Sequence, residues 1–98
     1  MDSPVEKGFG TVKCKVVISN QRGLHARAAA KFVKLAGDFD AEVSVAKNET
    51  VVPGGSIMAL MMLAAGPGCE LELRADGPQA EEALRSLERL ITDGFDEE

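Results

Sequence analysis

The chain has 98 residues, a formal net charge of −5 and 45% apolar residues. That is enough for one domain with an ordinary core, and it carries no basic stripe that would suit a nucleic acid. Aromatic residues make up 4%, which leaves no base-stacking platform. The two cysteines, Cys14 and Cys69, fit no metal-ligand spacing and read as reduced, mostly buried small side chains, with a disulfide as the weaker alternative; no metal or cofactor is expected.

Residues 1–10 are polar, carry both charge signs and read as a flexible leader rather than a secretion signal, ahead of a single domain over 11–98. Thr11 to Ser19 alternates Val12, Cys14, Val16 and Ile18 against Lys13 and Lys15, the pattern of a half-buried strand. Asn20 to Leu24 is a loop. A helix then runs from about Ala26 to Ala36, with Ala29, Phe32, Val33 and Ala36 on one face and Gly37 as its stop. Its other face collects Arg27, Lys31 and Lys34, a positive patch that suits an acidic partner.

Ala41 to Lys47 alternates as a second strand, Asn48-Glu49 is a tight turn, and Thr50 to Val52 is a short third strand ended by Pro53-Gly54-Gly55. Ser56 is suited to cap a short helix over Ile57 to Ala64. That helix is apolar all round, so some of Ile57, Met58 and Met61 are expected at the surface as a docking patch. The apolar run from Ile57 to Ala65 is too short to span a bilayer. Cys69 to Ala75 is the fourth strand. Gly77-Pro78 opens the last helix, whose stripe is Ala80, Ala83, Leu84, Leu87, Leu90 and Ile91. Gly94 ends it, and Phe95 to Glu98 reads as a solvated acidic tail.

The order is βαββαβα. No strand is continuously apolar, so each keeps one wet face. The expected fold class is α+β: an open-faced two-layer sandwich, with a four-stranded antiparallel sheet and three helices on one face.

His25, the only histidine, stands where strand pattern gives way to helix pattern. The first N–H groups of a helix have no partner within it, and they lie at the positive end of the helix dipole. Arg27 adds a planar fork of donors suited to phosphate oxygens, and the small Ala26 and Ala30 let a partner surface approach. Together these point to an imidazole that carries a phosphoryl group. The competing reading makes His25 a cap or a solvated residue in a non-catalytic interaction module, with the Met-rich helix as its interface.

Gly-Leu-His-Ala-Arg-Ala-Ala at 23–29 and Ser-Ile-Met-Ala-Leu-Met-Met-Leu at 56–63 resemble the motifs of HPr, the histidine-containing phosphocarrier of the phosphoenolpyruvate-dependent phosphotransferase system. The resemblance runs from about residue 11 to the end. It implies a sheet order of 1-4-2-3, counted over the four strands above. It implies that His25 accepts a phosphoryl group on Nδ1 from enzyme I and hands it to an enzyme IIA-type acceptor, with Arg27 assisting. It makes Ser56 the counterpart of a serine that a dedicated kinase phosphorylates in some members. It makes Ile57, Met58 and Met61, beside Ala26 and Ala30, the docking patch. A cytoplasmic, monomeric carrier rather than an enzyme follows.

Two places depart from the family pattern: Ala28, where proline is usual, and Pro53-Gly54-Gly55, where many members have a polar residue and a lysine before the serine. Gly77-Pro78-Gln79, Glu81-Glu82-Ala83-Leu84, Gly94-Phe95-Asp96-Glu97 and Phe39-Asp40-Ala41-Glu42-Val43 resemble the nitrogen-related, regulatory branch of the system. The same carrier role in sugar uptake is the alternative.

Overall fold

A computed structural model describes residues 6, 7 and 10–97. Strand β1 is Glu6–Lys7, β2 Thr11–Val17, β3 Glu42–Lys47, β4 Thr50–Pro53 and β5 Glu70–Asp76. Helix α1 is Ala26–Ala36, α2 Ile57–Met62 and α3 Ala80–Thr92, followed by a 3₁₀ turn at Gly94–Asp96. All strand pairs are antiparallel and the sheet order is β1-β2-β5-β3-β4. Without the two-residue edge strand this is the expected 1-4-2-3 arrangement. The edge strand pairs Glu6 with Lys13 and Lys7 with Val12, inside the stretch read as a leader. The rest of that stretch, apart from Gly10, lies outside the described residues.

Alternation in the strands sets the core. Val12, Cys14 and Val16 of β2 and Leu71, Leu73 and Ala75 of β5 are buried on one face. Against them pack Ala28, Ala29, Phe32 and Ala36 of α1, Leu60 of α2, and Ala80, Ala83, Leu84, Leu87 and Ile91 of α3. Leu90 and Val33 pack at the margin of this cluster. The opposite sheet face carries Lys13, Lys15 and Val17, all exposed. Both cysteines are free thiols, Cys14 buried and Cys69 half-buried. Burial, with Glu88 and Glu72 nearby, pushes the Cys14 thiol up to about 12.

Three expectations change. The second helix stops at Met62 rather than Ala64: Ala64 takes φ 52°, and Lys47 Nζ donates to the carbonyls of Leu63 at 2.9 Å and Ala64 at 3.3 Å. Pro78 is not the first residue of the last helix, which begins at Ala80. Gln79 is pinned to Asp40, its N–H donating to Asp40 O at 3.0 Å and its Oε1 accepting from Asp40 N at 2.7 Å. This holds Gln79 at φ −110°, ψ 28°, outside the helix. The tail is not a solvated end. After Gly94 (φ +68°), Phe95 folds back and is 0% exposed, which contributes about 2 kcal/mol of apolar burial.

Candidate functional site

The loop that carries His25 is built by three groups. Gly23 has φ +66°, and a Cβ there would sit 2.5 Å from Ala65 O, so both its conformation and its neighbour require glycine. The next residue, Leu24, donates its N–H to the same Ala65 carbonyl at 2.9 Å and is buried. Asn20, 8% exposed, braces the loop from inside: its N–H₂ group donates to Gly23 O at 2.9 Å. The loop is thereby fixed to the end of the α2 segment.

His25 then occupies the N-cap position of α1 with extended backbone, and its carbonyl accepts the first helical bond from Ala29 N at 2.8 Å. Its side chain makes no capping bond. The backbone N–H groups of Ala26, Arg27 and Ala28, which precede that first bond, are left without a carbonyl partner in the helix. Helix α1 forms with Ala28 in place of the usual proline, and Ala28 itself is fully buried.

The imidazole, 18% exposed, meets a carboxylate instead: His25 Nε2 is hydrogen-bonded to Glu97 Oε2. Glu97 Oε1 accepts from Asn20 Nδ2 at 3.1 Å. Hydrogen bonds from His25 and Asn20 hold the Glu97 carboxyl below the usual carboxylate range. Lys31 Nζ donates to Phe95 O at 2.7 Å and ties the tail to α1. Beside this contact is a cleft of about 750 Å³ lined by Asn20, Arg22, Arg27, Lys31, Asp96 and Glu97, among others. Arg27 is exposed on the cleft wall, and His25 reaches it through Glu97.

The remaining predicted residues form a neighbouring surface. Ala26 and Ala30 are exposed on α1, which packs against α2. On α2, Ile57 is 39%, Met58 72% and Met61 42% exposed, and Met62, not singled out in the sequence, is 79% exposed. Ser56 is half-buried at the N-cap of α2, where its Oγ accepts from Ala59 N at 3.1 Å. Sequence reasoning missed Asn20, Lys31 and Glu97 as parts of the site. Asn20 looked like a turn residue, Lys31 like a helix charge, and Glu97 lies 72 residues from the histidine it touches. Among the described residues, no group of three or more His, Cys, Asp or Glu side chains is placed to hold a metal, and no helix is long and apolar enough to cross a membrane.

The chain is similar to known proteins over most of its length. The family model PTS-HPr, described as "PTS HPr component phosphorylation site", matches residues 12–93. The chain is 54% identical over 84 residues to "Phosphocarrier protein HPr" of Pseudomonas aeruginosa, covering 85% of this chain and 93% of that one. It is 45% identical over 89 residues to "Phosphocarrier protein NPr" of Escherichia coli, covering 90% and 99%. Among solved structures, the crystal structure of HPr-C-His from Thermoanaerobacter tengcongensis matches with a TM-score of 0.84 at 40% identity, over 88% of this chain and 97% of that one.

Proposed function

The chain belongs to the HPr family of phosphotransferase-system phosphocarriers, and from that premise we propose that His25 is its phosphoryl-accepting residue. In this reading the neutral imidazole attacks phosphorus through Nδ1, taking the group from phospho-enzyme I and passing it to an enzyme IIA-type acceptor. The protein is a stoichiometric intermediate, consumed and regenerated between the two partners. Around the N–P bond that His25 forms, the protein's contribution is positioning and charge neutralisation.

One observation carries the proposal: His25 stands at a helix start without capping it. The unfilled N–H groups and the helix dipole favour a dianion beside the ring, by about 0.3–1 kcal/mol for an exposed site. Arg27, on the adjoining cleft wall, supplies a second neutralising charge that can follow the phosphoryl oxygens. The exposed Ile57, Met58 and Met61, with Ala26 and Ala30 alongside, give donor and acceptor a common apolar docking surface.

The test is incubation with phosphoenolpyruvate, magnesium and enzyme I, followed by intact mass before and after mild acid. One acid-labile phosphate, missing in His25→Ala, is the expected result; a variant that still took up the phosphate would overturn it.

For the branch, we favour the nitrogen-related, regulatory one, on the Gly94-Phe95-Asp96-Glu97 and Phe39–Val43 stretches and the match to an NPr over 99% of its length. Sugar uptake remains the second reading, favoured by the 54% identity to an HPr. Labelling rates with enzyme I of each branch decide between them. Ser56 is proposed as a regulatory phosphorylation site. Ser56→Asp adds negative charge beside the docking patch and is expected to slow labelling by enzyme I, and equal rates for the two proteins would remove that role. A cytoplasmic, monomeric carrier is consistent with this function.

A further inference from the structure

The end of the chain is held against the phosphoryl site by independent contacts. Phe95 is sunk in the core, Lys31 Nζ bonds its carbonyl at 2.7 Å, and Asn20 Nδ2 bonds Glu97 Oε1 at 3.1 Å. Asn20 directs its N–H₂ group to both Gly23 O and Glu97, while its buried Oδ1 has no hydrogen-bond partner among the described residues. Turning that amide over would face its oxygen toward two other oxygens, so its orientation is fixed by the carbonyl and the carboxylate. The remaining carboxylate oxygen, Oε2, meets His25 Nε2. An ionised carboxylate only accepts hydrogen bonds, so the ring nitrogen facing it carries the proton. In the neutral ring the lone pair then lies on Nδ1.

We propose that Glu97 is a positioning residue for His25: it holds the ring in the Nε2–H form, leaving Nδ1 as the nucleophile, and balances the positive charge the ring gains on phosphorylation. The inference rests on His25 being the phosphoryl acceptor. In the transfer, the Nδ1 lone pair forms the N–P bond, and the bond from phosphorus to the donor's leaving atom breaks, its electron pair departing with the donor. The Nε2 proton stays on the ring. The ring is therefore cationic opposite the Glu97 carboxylate, and this charge is relieved when the phosphoryl group is passed on. The logic is that of a carboxylate orienting a histidine in a hydrolytic triad, where the acid selects the tautomer and stabilises the imidazolium without taking its proton. The low Glu97 pKa keeps the carboxylate ionised for this task.

The test uses the full chain labelled with ¹⁵N-histidine, at alkaline pH, and phosphoramidate as a small phosphoryl donor that needs no partner protein. The wild-type ring is expected to show a protonated Nε2 and a bare Nδ1. Glu97→Ala shifts both resonances toward the mixed tautomers of free imidazole and slows phosphohistidine formation about tenfold, the scale of one hydrogen bond to a charged group. Glu97→Gln carries no charge and offers one acceptor oxygen to two donors, Asn20 Nδ2 and His25 Nε2, so it restores the tautomer only in part and does not restore the rate. Asp38→Asn, which removes one exposed charge beyond the far end of α1, leaves both unchanged. Wild-type spectra and rate in Glu97→Ala overturn the positioning role, and so does equal slowing by Asp38→Asn. Absence of phosphohistidine in the wild-type chain is a separate outcome: it removes the acceptor reading of His25 and this inference with it.

Discussion

Two helices in this molecule begin on polar residues in extended backbone, and they use those residues in opposite ways. At the start of α2, Ser56 turns its hydroxyl onto the helix and accepts from Ala59 N at 3.1 Å. At the start of α1, His25 makes no such bond and turns its ring to Glu97 instead. A cap residue spent on its helix stabilises the fold, and its side chain is engaged. A cap residue that leaves the helix start unfilled gives up that stabilisation and keeps both a ring nitrogen and an anion-binding helix end for chemistry. Stability and transfer should therefore respond in opposite senses to changes at the two positions.

The largest effect is expected at the first. His25→Ala abolishes labelling by enzyme I, while the thermal midpoint falls only by what the part-exposed Glu97 contact supplies, since no cap bond is lost; a collapse of the fold would show the ring to be structural. Arg27→Ala, on an exposed wall of the cleft, is expected to slow labelling about a hundredfold, the lower range for removing one donor from a developing oxyanion, with urea stability unchanged. Ser56→Ala reverses the pattern: about 1 kcal/mol of stability lost in urea unfolding, and an unchanged labelling rate.

The smallest effect is a pH shift. Because hydrogen bonds from His25 and Asn20 lower the Glu97 pKa, the tail contact adds stability above the ordinary value of 4.5 and loses it as pH falls through the lower folded value. The side-chain carboxyl carbon of Glu97 should titrate in ¹³C spectra with a midpoint under 4.5, rising toward it in His25→Ala. A midpoint unmoved by that substitution would break the link between the tail and the α1 start.

What could be seen in the sequence was whatever has a period or a local marker. Alternation placed Val12, Cys14 and Val16 and Leu71, Leu73 and Ala75 on the buried face, and Gly37 marked the end of α1. The cap at Ser56 was legible because its partner is three residues away. The tail was not. Phe95 is a single apolar residue in an acidic stretch, and its burial depends on left-handed backbone at Gly94, Phe95 and Asp96, which no repeat announces. The pairing of Glu97 with His25, and of Gln79 with Asp40, joins residues far apart in sequence with no covarying pattern inside one chain to reveal them. His25 stood out because its marking neighbours are local, and its carboxylate partner did not because it lies 72 residues away.

The position of β5 has a consequence for how the protein is made. It lies between β2 and β3 and pairs with both, joining Thr11 to Asp76 on one side and Glu42 to the same residue on the other. A chain leaving the ribosome thus displays both flanking strands before the one that joins them exists. The loop of His25 also waits, since the Ala65 carbonyl that seats Gly23 and Leu24 emerges just before that strand. Nascent chains should stay open until β5 has been synthesised, so the loop of His25 is seated only late in synthesis.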